Sequence, residues 1–290
     1  MVTTMKAGMA FADWPSSDGR NMILYPWFRD FRAHPEKFAE HGHRLAGLLA
    51  GISSVALLIA AWVRGGAVER RFAGWILAGV ILQGLIGGAR VVLNQQAVGL
   101  LHSVTASLYL AMCAVFWMRL SPNWQTWLAY RRQLPVVSVV VLLCAPAVVL
   151  LQNIMGAFLR HLHLLQREHV MGAGLTGVLI VVCVHGGVRS GHLLLQRLAH
   201  AAGGLISLQL TLGLASYASR FGIPAEGLVA VDGGSVTSVI RSLHTVAGIC
   251  VFAVVTMLSF ATTALLRSGA IQLAQSDELS PLATGKGAVQ

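Results

Sequence analysis

The chain alternates long apolar runs with short polar breaks. A helix that crosses a bilayer needs about 20 apolar residues. Seven runs reach that length, at about 43–63, 72–93, 97–118, 134–156, 169–188, 198–218 and 241–266. The links between them are short apart from 119–133 and 219–240, and 267–290 reads as a polar tail. Pro146 lies inside the fourth run. It is compatible with a spanning helix, because neighbouring helices can satisfy the backbone groups a proline frees. The pattern predicts an all-α membrane protein.

Composition agrees. The 290 residues are 56% hydrophobic and only 11% charged, against roughly a quarter charged in soluble domains. The formal charge of +10 orients loops here rather than binding nucleic acid, for which no motif is present. Links on one side carry Arg64, Arg70, Arg71, Arg119, Arg131, Arg132, Arg189 and Arg197; those on the other carry Arg160, Arg167 and Arg220. The positive-inside rule puts the first set in the cytoplasm, so the first, third, fifth and seventh spans are expected to begin on the outer side. Cys113, Cys144, Cys183 and Cys250 all lie in apolar runs without ligand spacing, and read as buried thiols. Residues 1–39 are polar and lack the apolar core of a secretory signal.

An internal repeat gives the runs an order. His43 stands 40 residues before Gln83, and His169 stands 40 before Gln209. The glutamines sit in matching text, LQGLIGG at 82–88 and LQLTLGL at 208–214. The next span opens on LLHSVTASL at 100–108 in one half and SLHTVAGIC at 242–250 in the other, with His102 and His244 in corresponding places. Spans one to three therefore repeat as spans five to seven. The fourth span precedes the second copy and has no partner ahead of the first. The repeat thus leads one to expect a further helix upstream of residue 1, and MKAGMAF at 5–11 echoes NIMGAFL at 153–159. The expected layout is an outer loop 1–39, a first half 40–118, a cytoplasmic linker 119–133, a second half 134–266 and a cytoplasmic tail 267–290.

The repeat also singles out four of the eleven histidines. His43, His102, His169 and His244 all lie near the outer ends of spans. Facing imidazoles from two helices suit axial ligation of a haem iron, and one pair per half gives two sites. Unligated interfacial histidines are the plain alternative. A zinc or copper site is disfavoured, because no cysteine or carboxylate cluster completes the coordination at the repeated positions. His161 and His163 read as loop residues, and His185, His192 and His200 as interfacial at the cytoplasmic side. Glu40 lies three residues before His43, on the same helix face; the other half has Gln166 there. His41 points about 100° away from its neighbours. A carboxylate beside a haem can act as acid, base or charge stabiliser, so one half reads as chemically active and the other as passive. Gly47, Gly51, Gly84, Gly87 and Gly88 allow close helix contact or leave room for a flat macrocycle. Gln83 and Gln209 read as interhelical hydrogen-bond partners. Arg44, Arg90, Arg167 and Arg241 either pair with haem propionates or snorkel to headgroups.

With EHGHRLAG at 40–47, QGLIGG at 83–88, LLH at 100–102 and SLH at 242–244 in view, the chain resembles the haem A synthase family over residues 2–267. GMAFADWPSSDG at 8–19 is similar to that family's first outer loop. The resemblance implies two pseudo-symmetric four-helix bundles, of which three plus four helices are read here. It implies oxidation of the ring D methyl of haem O to a formyl group by two successive hydroxylations and loss of water. His43 and His102 would hold the substrate haem, His169 and His244 would ligate a haem b cofactor that relays electrons, and Glu40 would be the catalytic carboxylate. A haem O synthase and an electron donor would be partners, self-association is left open, and the expected location is the plasma membrane of a bacterium ahead of the mitochondrial inner membrane. Residues 1–39 lack the cysteine pair of some members, so the chain is similar to the branch without it. The different-class alternative is a non-catalytic bis-histidine di-haem electron-transfer cytochrome.

Overall fold

The computed structural model describes residues 10–222 and 235–273. In chain order come a 3-10 turn at Trp27–Arg29, α1 (Asp30–Ala33), α2 (Pro35–Arg64), α3 (Ala67–Leu93), α4 (Gln96–Arg119) and α5 (Trp124–Ala129). There follow β1 (Arg132–Leu134), α6 (Val136–Leu162), α7 (Gln166–Arg189), α8 (Leu193–Phe221), α9 (Ser235–Arg267) and β2 (Ile271–Leu273). Among the described residues, seven helices are long and apolar enough to cross a membrane. The shortest have 24 residues, and a 24-residue helix is ~36 Å long against a hydrocarbon core ~30 Å thick. The protein is an all-α membrane protein.

The helices start and stop where local chemistry directs. Pro35 takes the first turn of α2, where its missing N–H costs nothing and its fixed φ suits the helix. The α2–α3 turn is Gly65–Gly66, and Glu69 Oε2 accepts the Gly66 N–H at 2.9 Å, closing the open start of α3. Asn94 ends α3 in the left-handed region, φ 50°, a conformation asparagine tolerates well. Pro146 sits inside an unbroken α6.

The core is uneven. Most buried apolar residues belong to α6, α7, α8 and α9, with α4 added along one side. There α6 packs on α7, α7 on α8, α8 on α9, and α9 back on α6. The helices α2, α3 and α4 form a row, and α4 joins that row to α6 and α9. Leu49, Ile52, Val55, Ile59 and Trp62 of α2 are exposed, from 45% to 65%. An outward apolar stripe at helical spacing fits a hydrocarbon surrounding and not water. Cys144 also faces outward, unlike buried Cys183, so a buried role for all four thiols does not hold.

Several boundaries differ from the sequence reading. α2 begins at Pro35 rather than 43, α6 runs on to Leu162, and α9 begins at Ser235. Polar residues at these ends lower local hydropathy without breaking the helix. The link 119–133 contains α5 and β1, and the start of the polar tail is β2, which pairs in parallel with β1 from Arg132↔Ile271 to Leu134↔Leu273. The tail beyond 273 lies outside the described residues.

His192 is fully buried at this end rather than interfacial. Its Nε2–H donates to the Trp127 carbonyl at 3.0 Å, tying the α7–α8 turn to α5. Burial first, and then the nearby Arg132 charge, holds its pKa below the ordinary histidine value, against the opposing hydrogen bond to Trp127. The folded chain thus binds fewer protons there than the unfolded chain, whose histidines titrate near ~6.5. Stability from this group is full above that pH and falls as pH drops below it. Melting in detergent micelles at pH 7.5 and 5.5 should show a smaller acid loss in His192→Gln, which keeps a donor and does not titrate.

Candidate functional site

The four repeated histidines meet as two pairs. His43 on α2 faces His102 on α4, with ring centroids 6.0 Å apart and planes at 86°. His169 on α7 faces His244 on α9, at 6.3 Å and 86°. Ser103 Oγ, beside His102, lies 2.9 Å from His161 Nε2 on α6, so both pairs occupy the same end of the molecule.

Glycines make room for the rings. A Cβ on Gly87 would lie 3.3 Å from the His102 ring, one on Gly213 3.0 Å from His244, and one on Gly156 3.0 Å from His169. The spacing of Gly87 four residues after Gln83, matched by Gly213 after Gln209, marks this in the sequence. His244 Nδ1 lies 3.1 Å from the Gln209 carbonyl and donates to it. That fixes the tautomer with the lone pair on Nε2, as a metal-binding imidazole requires. Gln209 also brings its side-chain amide to 3.4 Å from His244 Nε2. His169 has an amide against it as well: Gln152 Nε2 lies 3.1 Å from its Nδ1 and donates to its carbonyl at 2.8 Å. Gln152 was not singled out in the sequence; a glutamine inside the apolar run of α6 is the trace of it there.

The ring separations, 6.0 and 6.3 Å, can be compared with those of two imidazoles on one metal. A transition-metal ion ~2 Å from each of two facing imidazole nitrogens sets the ring centroids roughly 6 Å apart. Two imidazoles supply an axial pair, and a macrocycle such as haem supplies the rest.

The pairs differ in what surrounds them. Glu40 and Arg44 form a buried ion pair, 2.7 Å between Oε1 and Nη2, with side chains 4% and 7% exposed. Glu40 Oε2 accepts the Ala10 N–H at 2.8 Å. Arg44 Nη1 donates to the carbonyls of Asp13 at 3.0 Å and Ser16 at 2.6 Å, and its guanidinium lies over the Phe11 ring. Phe11 is fully buried. His41 turns away from the pair and meets Ser17 Oγ at 3.2 Å. A turn at Asp18–Gly19, both in the left-handed region, is held by the Asp13 carboxylate accepting both N–H groups. Residues 10–20 thus form a cap pinned to the first turns of α2. Trp14 extends this cap to α3, where a Cβ on Gly88 would lie 2.5–2.7 Å from its ring. In the other half, Gln166 starts α7 and Arg167 is exposed.

The glycines of the first half divide in two groups. Gly87 and Gly88 serve close approach, to His102 and Trp14. Gly47, Gly51 and Gly84 do not: nothing stands within 4 Å of a Cβ at any of them. In the second half Ala173 and Leu210 occupy the places of Gly47 and Gly84, and a Cβ on Gly177, the place of Gly51, would lie 3.5 Å from Leu210. The first half thus has glycine at two places where the second half has a side chain.

Among the other expected site residues, Arg90 projects over Gly99 at the start of α4, 2.9 Å from where its Cβ would stand. Arg241 is half-buried in α9. His161 is not a loop residue; it ends α6 and is 5% exposed. His163 caps that helix at φ 58°. No protein-family model, curated protein or solved structure matches the chain.

Proposed function

We propose that this chain is a haem A synthase, an oxidoreductase that converts the ring D methyl of haem O to a formyl group. The observation that carries the reading is two histidine pairs of nearly equal geometry, only one of which has a buried carboxylate one turn away. In this reading the halves are pseudo-symmetric bundles, with both pairs towards the outer face of a bacterial plasma membrane. His43 and His102 bind haem O as substrate; His169 and His244 hold haem b. Bound haem b supplies one-electron redox chemistry. A haem O synthase delivers the substrate, and an electron donor completes the set of partners.

The chain's own residues do the rest. Gln209 orients His244 through its carbonyl, and Gln152 braces His169. The open face at Gly47, Gly51 and Gly84 suits a site whose ligand must enter and leave, and the second half has Ala173 and Leu210 at two of those places. Glu40 supplies fixed negative charge beside the substrate pair, where it stabilises developing positive charge. Its Oε1 is held by a full positive charge and its Oε2 by a backbone N–H alone.

A non-catalytic di-haem cytochrome is the second reading. It is favoured by the matched pair geometry and by Glu40 having both oxygens engaged by protein groups. Co-expression with a haem O synthase, followed by haem extraction, separates the two. Haem A or its hydroxylated precursor is the expected product; bound haem without either leaves the cytochrome.

A further inference from the structure

Between the two histidine pairs, the seam of the two halves carries two arginines that have no ion-pair partner among the described residues. Arg90 comes from α3, and Arg160 and His161 from the last turn of α6. Arg90 and His161 converge at Gly99 in the first turn of α4, and Arg160 stands close enough to Arg90 for the two charges to act on each other. A Cβ on Gly99 would stand 2.9 Å from Arg90 Nε and 3.1 Å from His161 Nδ1, so the missing side chain is what admits both groups. Ser103 Oγ donates to the Gly99 carbonyl at 2.9 Å. Its oxygen then accepts the Nε2–H of His161, at 2.9 Å, which fixes Nε2 as a protonated ring nitrogen. Arg160 Nη1 donates to Thr245 Oγ1 at 3.0 Å, but its Nε is buried without a partner.

Among the described residues, Arg90 makes no hydrogen bond within the protein, and neither arginine belongs to an ion pair. The ion pairs there are His34–Glu36, Lys37–Asp18 and Arg44–Glu40. Glu40, whose charge also reaches Arg90, is already paired with Arg44 at 2.7 Å. Guanidinium groups drawn out of water without a counter-charge are costly, and their planar fork matches a carboxylate or phosphate. The seam also reaches both pairs. Arg90 lies three residues past Gly87, which carries the His102 ring, and Thr245 follows His244.

We propose that Arg90 and Arg160 form one anion site on this seam, built to take a carboxylate, with the Ser103–His161 hydrogen bond as its fixed wall. That the carboxylate belongs to a porphyrin rests on the haem reading; that the seam binds an anion does not.

The test uses the full chain in detergent micelles and metal-free protoporphyrin, which has two carboxylates and no iron for the histidines to ligate. Its dimethyl ester keeps the ring and loses both charges. Fluorescence titration should show the diacid binding at least ~10-fold tighter than the ester, in keeping with charge-assisted pairing. Arg160→Gln and Arg90→Gln should each erase that difference while ester binding stays unchanged. Arg160→Lys, which keeps the charge, should retain part of it and serves if Arg160→Gln does not fold. Equal binding of diacid and ester by the wild-type chain overturns the anion site and leaves the haem reading standing. Inorganic phosphate provides the other arm. If neither porphyrin binds but phosphate raises the melting temperature in wild type and not in Arg90→Gln, the site takes a free anion and the haem reading fails. No response to porphyrin or phosphate overturns the site.

Discussion

Glu40→Gln is expected to end haem A formation while leaving haem b bound, with a loss of about 10²–10⁴ in product formation, the range for an acid–base group. The substitution does more than remove a titrating group. Arg44 is 7% exposed and would keep its charge without its partner. Removing one member of a buried pair costs about 3–5 kcal/mol, and residues 10–20 are pinned through that pair by the Ala10 N–H and the Asp13 and Ser16 carbonyls. The cap should therefore loosen, measured as faster hydrogen exchange over residues 10–20. Arg44→Gln loosens the same cap and leaves the carboxylate in place. If Arg44→Gln forms product and Glu40→Gln does not, the carboxylate acts in the chemistry. Equal loss in both variants would reduce Glu40 to a clamp and remove it from the catalytic role.

His244→Ala is expected to strip the haem b absorption spectrum from the purified protein, whereas His102→Ala should leave it intact and abolish haem O turnover. The asymmetry follows from the surroundings of each ring. His244 is oriented by a backbone carbonyl at 3.1 Å, and its partner His169 lies 3.1 Å from Gln152. Groups that orient a metal-binding imidazole typically contribute 10–100-fold in affinity. Gln152→Leu, which removes the amide that holds the His169 ring and its carbonyl, should lower the haem b retained per protein without deleting a ligand. An unchanged spectrum in His244→Ala would remove His169 and His244 as a haem site.

The seven spans were legible in the sequence because a run of apolar residues is a local property and its length is set by the bilayer. The pairing of His43 with His102 and of His169 with His244 was legible only through the repeat, since composition ranks no histidine above another. The cap was not legible. Ala10, Asp13 and Ser16 return to Glu40 and Arg44 across 28 to 31 positions, and no hydropathy pattern encodes that return. His161 read as a loop residue because the text around it is polar, yet α6 carries it another turn and brings it against Ser103. Gly47, Gly51 and Gly84 read like packing glycines; only the neighbours they lack in the fold tell them apart from Gly87 and Gly88.

The short parallel pair of β1 with β2 has a consequence for the order of events in synthesis. Residues 132–134 leave the ribosome well before residues 271–273, with all of α6, α7, α8 and α9 in between. The two strands can join only after the last span has been made and has returned to the starting side of the membrane. Until then the second group of helices has no backbone tie between its ends. The strand pair therefore acts as a late fastener, which can close only once α9 has been made.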